Sequence, residues 1–137
     1  MAAGKLGVIQ MNLNSLYSYK ATVIRILDGD SVVLSADLGF KVFIEIPVRL
    51  AHIDTPELRS SDEGEAARAM EAKQKLIELL ADPNVIIRSF KPFKGDKFGR
   101  WLVEIINSQG VNVNQMLLDL GLAVPYEGKK KASRILN

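Results

Sequence analysis

The sequence predicts a mainly β fold of the α+β class: a small, strongly curved five-stranded sheet or barrel with two or three helices. Three observations predict it. Five short segments are β-branched and apolar or alternate with period two. Helical periodicity appears only after the third and after the fifth of them, and the turn signals between the early segments are tight. Strands and helices therefore do not alternate as a doubly wound sheet requires, and a five-stranded oligonucleotide-binding (OB-fold) barrel fits the count.

Residues 1–18 show no sustained period and read as an N-terminal arm preceding a domain over residues 19–137. Residues 21–27 form a strand that ends at Asp28-Gly29-Asp30, and residues 31–34 resume as a second strand after that tight turn. In residues 41–50, Val42, Ile44, Ile46, Val48 and Leu50 share one face. Lys41, Glu45 and Arg49 share the other, so the pattern predicts a half-buried strand with Arg49 pointing away from the aliphatic row. Ser60 with Glu63 is read as a capping box opening a helix to about Leu80, closed by Asp82-Pro83, with Ala69, Ala72, Leu76 and Leu79 or Leu80 as its buried stripe. Residues 85–90 and 101–106 are two more strands joined by a basic, glycine-containing loop. Asn114 is read as the cap of a short helix over residues 115–120, with Gly121 as its left-handed stop.

Composition narrows the chemistry. The chain has 137 residues, 47% hydrophobic and 25% charged, enough for one domain with an unstapled core. It has no cysteine, which excludes disulfides, thiolate metal sites and cysteine nucleophiles, and its one histidine, His52, excludes a multi-histidine metal site. His52 itself is read as structural or supporting rather than catalytic. No apolar run reaches membrane-spanning length and no signal peptide is visible, so a cytoplasmic or a processed secreted protein is expected. Residues 1–83 hold 9 Lys and Arg against 12 Asp and Glu, a balance of −3, whereas residues 84–137 hold 9 against 4, a balance of +5. Early acid and late base suit a cation site facing a polyanion, and equally suit ordinary solvated charge.

Three stretches concentrate acid and arginine at strand ends and loops: Asp28-Gly29-Asp30, Arg49 through Asp54-Thr55-Pro56-Glu57, and Asp96-Lys97-Phe98-Gly99-Arg100. The first is ordinarily just a hairpin turn. In the second, Pro56 drives Thr55 toward an extended backbone, so Asp54 and Glu57 flank a stiff bend. In the third, Arg100 precedes Trp101, whose ring offers it a face.

Taken together and in this order, the three stretches and residues 114–123 resemble the staphylococcal nuclease (thermonuclease) family over residues 20–126, on Ile26-Leu27-Asp28-Gly29-Asp30-Ser31-Val32, Arg49-Leu50-Ala51-His52-Ile53-Asp54-Thr55-Pro56-Glu57 and Asp96-Lys97-Phe98-Gly99-Arg100. The resemblance implies an OB-fold barrel and calcium-dependent endonuclease cleavage of DNA and RNA with little sequence preference, leaving 3′-phosphate ends. It makes Asp30 and Asp54 carboxylate metal ligands and Thr55 a backbone ligand, with water and substrate phosphate completing a hard-cation shell. Asp28 matches an acid that tunes the site through water. Glu57 matches the general base, Arg49 and Arg100 the phosphate-binding arginines, and Lys97 and Tyr126 nucleic-acid contacts. Phe98 departs from the family's tyrosine, removing a hydroxyl beside the nucleotide, and Pro125 and Gly128 alter the loop around Tyr126. A monomer is expected. The alternative is a non-catalytic nucleic-acid-binding or protein-interaction module on the same barrel.

Overall fold

A computed structural model describes residues 16–90 and 100–126. Lys97 and Phe98, together with the rest of residues 91–99, lie outside the described residues, as do residues 1–15 of the expected arm. In chain order the elements are β1 (Ser18–Asp28), β2 (Ser31–Gly39), β3 (Val42–Leu50), β4 (Ile53–Asp54), α1 (Glu63–Leu79), β5 (Asn84–Phe90), β6 (Trp101–Ile106), α2 (Val113–Asp119) and β7 (Val124–Pro125).

Five of the strands close a barrel in the order β1-β2-β3-β6-β5. Its joints are antiparallel except β3 with β6, where Val48, Arg49 and Leu50 lie opposite Trp101, Leu102 and Val103 in parallel. Register shifts in β1, between Val23 and Arg25 and between Ile26 and Asp28, add the local bend a small barrel needs. Alternate side chains point inward, so Val32, Leu34, Val48, Leu50, Val103 and Ile105 fill the interior. The mainly β, five-stranded barrel expected from periodicity is the observed fold. Among the described residues no helix is long and apolar enough to cross a membrane.

α1 starts two residues later than the capping box predicts. Its cap is Asp62, whose carboxylate accepts from the Gly64 and Glu65 amides, while the Ser60 hydroxyl accepts from the Asp62 amide one step earlier. A carboxylate with acidic Glu63 and Glu65 beside it is the better match to the positive helix start. Ala69, Ala72 and Leu76 are buried as expected, with Leu80 just beyond the helix. α2 is capped by Asn112 rather than Asn114 and stops at Gly121, which takes φ +73°.

β3 departs from its expected pattern. Val48 and Leu50 are buried, but Val42 and Ile44 are exposed. The β2–β3 hairpin outruns its neighbours: β1 pairs with β2 no further than Ala21 opposite Ala36, and β6 pairs with β3 only from Val48. Nothing described packs beneath the projecting end. Gly39 pairs with Val42, and the intervening Phe40 and Lys41 both take positive φ, the two-residue turn that matches strand twist. The Asp37 carboxylate accepts the Gly39 N–H at 2.9 Å and holds that turn.

Candidate active site

The turn from β1 to β2 sits at the barrel rim and is built around one acid. Asp28 Oδ1 accepts the Asp30 N–H at 3.1 Å and the Ser31 hydroxyl at 2.7 Å. Between them, Gly29 is pressed from two sides. A Cβ there would lie 2.9 Å from the Ala72 Cβ of α1 and 3.0 Å from the Thr55 hydroxyl, so only glycine allows the turn, the helix and Thr55 to meet.

Asp30 turns inward from this position. Its Oδ2 accepts the Thr55 N–H at 3.1 Å and faces Arg49 Nη2 at 3.5 Å, and its carbonyl accepts the Leu50 N–H at 2.8 Å. Arg49 does point away from the aliphatic row, but that direction is not solvent: the residue is 8% exposed. Its Nη2 donates to Asp54 Oδ1 at 2.8 Å, and its guanidinium carbon lies 4.8 Å from the centroid of the Tyr126 ring. One arginine therefore links both aspartates and rests on an aromatic face.

β7 makes this possible. It pairs with β4, setting Asp54 opposite Val124 and Ile53 opposite Pro125, and the Tyr126 N–H continues the ladder to the His52 carbonyl at 2.9 Å. His52 takes φ +68° in the turn between β3 and β4, and its ring meets Phe90 edge-on at 5.0 Å, in keeping with a structural role.

The charges are unbalanced. Burial, reinforced by the hydrogen bond and negative charge of Asp28, pushes the Asp30 carboxyl up to about 7, against the weaker pull of Arg49 and the Thr55 N–H. Burial also acts to raise Asp28, but hydrogen bonds to Asp30, Ser31 and the Asp30 amide, with the charge of Arg100, hold it below its ordinary value. The pair thus keeps one proton between two carboxyls near neutrality, with Asp28 the ionised partner. The Arg100 charge acting on Asp28 puts half-buried Arg100 at the same rim. Glu57 lies three residues beyond Asp54, exposed on the loop toward α1, with its carbonyl accepting the Ser60 N–H at 3.3 Å. Asp30, Asp54, Thr55, Arg49 and Tyr126 meet directly, and Arg100 joins them electrostatically.

The family model described as staphylococcal nuclease homologue matches residues 47–136. The chain belongs to the staphylococcal nuclease homologue family. That match holds Arg49, Asp54, Thr55, Glu57, Arg100 and Tyr126, and the fold adds Asp30 from the turn that precedes it. An uncharacterized endonuclease of Escherichia coli O157:H7 is 30% identical over 105 residues, which are 77% of this chain and 60% of that protein. The uncharacterized endonuclease of Escherichia coli matches with the same identity and coverage. The chain thus spans 60% of the length of these two relatives.

In this staphylococcal nuclease homologue, Asn114 is the residue whose sequence position misleads. Asn112 and Asn114 both stand at a helix start, and either type caps. The buried one, Asn114, accepts the Ile105 N–H at 3.1 Å and donates to the carbonyls of Ala51 and Val103, each at 3.0 Å. It fastens α2 to the parallel β3–β6 joint directly behind Arg49. Asn114→Ala removes this partner from the Ile105 N–H and the Ala51 carbonyl, while the Val103 carbonyl keeps the Ala51 N–H at 2.8 Å, and a loss of about 2 to 3 kcal/mol in urea denaturation is expected, with faster amide exchange at Ile105. A variant as stable as the parent would remove this role.

Proposed function

We propose that the protein is a calcium-dependent endonuclease that hydrolyses phosphodiester bonds of DNA and RNA with low sequence preference and leaves 3′-phosphate ends. The observation that carries this reading is the convergence of Asp30 and Asp54 on Arg49 in one buried, charge-unbalanced cluster at the rim. The residues fit a hard cation. Burial and the neighbouring Asp28 push the Asp30 carboxyl up to about 7 against the pull of Arg49, an environment that an added cation would offset, and the two aspartates with the Thr55 carbonyl are oxygen donors of the kind Ca²⁺ takes. Among the described residues no three acidic, histidine or cysteine side chains gather as a metal cluster, so backbone, water and phosphate oxygens would supply the remainder. Bound there, the cation would supply charge that screens the incoming phosphodiester.

The chain's own groups do the rest. Tyr126 covers one face of the Arg49 guanidinium and Asp54 holds one of its nitrogens, which fixes the plane of the fork for phosphoryl oxygens. Arg100 approaches from Asp28 and, with Arg49, neutralises the charge that gathers on the phosphoryl group. Glu57, exposed beside the bend, takes a proton from the attacking water. As the new P–O bond forms, the bond to the 5′ oxygen breaks, and the leaving oxygen is protonated from solvent. Lys97 and Tyr126 hold the flanking nucleotide.

Digestion of plasmid and single-stranded DNA and of RNA, with Ca²⁺ or with a chelator, tests the reading. Cleavage is expected only with the cation, and Glu57→Gln is expected to lose roughly 10² to 10⁴ in rate while still binding DNA. Cleavage indifferent to chelation would remove the metal role. Binding without cleavage under any cation would make the barrel a binding module instead.

A further inference from the structure

The projecting hairpin carries an open strand edge that no part of the catalytic reading uses. Among the described residues, the outer edge of β3 is paired only at Val48, Arg49 and Leu50. Pro47, which has no N–H to give, stands where that pairing begins. Beyond it no described residue pairs with the edge, which is apolar: Phe43 is 63% exposed, Val42 50% and Ile44 43%, and Phe40 at the turn is fully exposed. Exposed apolar edges are templates for a further strand.

We propose, in place of the monomer expected from the sequence, that this edge is a dimer interface, with the β3 strands of two copies pairing antiparallel about a twofold axis through Phe43. The sequence names the occupant. Lys41-Val42-Phe43-Ile44-Glu45 reads as a cation, three apolar residues and an anion. Centred on Phe43, antiparallel pairing sets Lys41 opposite Glu45 of the partner subunit, and Glu45 opposite Lys41 of the partner subunit. The same register sets Val42 against Ile44 twice and Phe43 against its own copy, so charge and apolar surface match together. Shifting the centre to Ile44 puts Glu45 against an aromatic ring, and parallel pairing puts like charges side by side. Lys41 stands in the turn just before the strand, at φ +63°, and Glu45 lies three residues into it. The interface lies at the far end of β3 from Arg49, so each copy keeps an open site, and the proposal does not depend on the nuclease reading.

Sedimentation velocity from micromolar to millimolar protein tests it with the parent, Lys41→Glu, Glu45→Lys and the double charge swap. The parent is expected to dimerise, each single reversal to weaken dimerisation about tenfold at low salt, and the double swap to restore it. Restoration points to a second copy of this strand, since another partner would carry no matching swap. Amide exchange on the unaltered protein gives an independent measure, with protection of residues 42–46 expected to rise with concentration. A monomer throughout the range, a dimer indifferent to reversal, a double swap as weak as either single change, or exchange unaltered by concentration would overturn the proposal.

Discussion

Arg49→Ala is expected to lower the cleavage rate by roughly 10³ to 10⁵, the range spanned when an arginine that meets a phosphoryl transition state is removed. Lysine at the same position is expected to recover little of this, because the contact depends on a planar fork held flat between Tyr126 and Asp54. The loss has a second component. Arg49 is the cation that meets both buried aspartates, so its removal takes that charge from two buried carboxyls at once. In chelator, the variant is expected to lose on the order of 3 kcal/mol of stability, the scale for breaking a buried pair from one side. Added Ca²⁺ should return part of that without returning activity. Urea denaturation with and without the cation separates the two components, and a variant of parental stability in chelator would mean that Arg49 does not neutralise the cluster.

Asp30→Asn carries the opposite sign for stability. On the proposed reading cleavage is expected to fall roughly a thousandfold, since the carboxylate assigned to the cation loses its charge. The metal-free fold should nevertheless become more stable. Asp30 has a folded-state value of about 7 against an ordinary 3.8, so between those limits the folded protein holds a proton that the unfolded chain has released. Stability of the metal-free parent therefore declines as pH rises from about 4 to about 7. Asp28, held low, works the other way and at lower pH: its contribution is present above its ordinary value and is lost as acid protonates it. Asparagine removes the larger effect, and a gain of roughly 1 to 3 kcal/mol above neutral pH is expected, with a flatter pH profile. An asparagine variant less stable than the parent in chelator above neutrality would show that the cluster is not short of positive charge.

Much of this was legible in the sequence because it is local. Strand periodicity, the Asp28-Gly29-Asp30 turn and the outward direction of Arg49 all follow from neighbours along the chain. What Arg49 points toward is not local: Tyr126 reaches it through β7, a strand of two residues and far too short to show a period. The same limit explains Val42 and Ile44, whose alternation matches a buried row although no layer lies beneath them. Asn112 and Asn114 are chemically equivalent as caps, and only the packing of α2 against the β3–β6 joint decides which turns inward. The roles expected of Glu57, Arg100 and Lys97 rest on resemblance to a family alone, since strand and helix patterns say nothing of a proton or a phosphate.

The short β4–β7 ribbon also bears on when the protein becomes competent. During synthesis the aspartates and Arg49 leave the ribosome early, but the strand that aligns Asp54 and the ring that steadies Arg49 follow only after both helices and β6. Late arrival of one small ribbon therefore delays the joining of Asp54, Arg49 and Tyr126 until almost all of the described chain has been made.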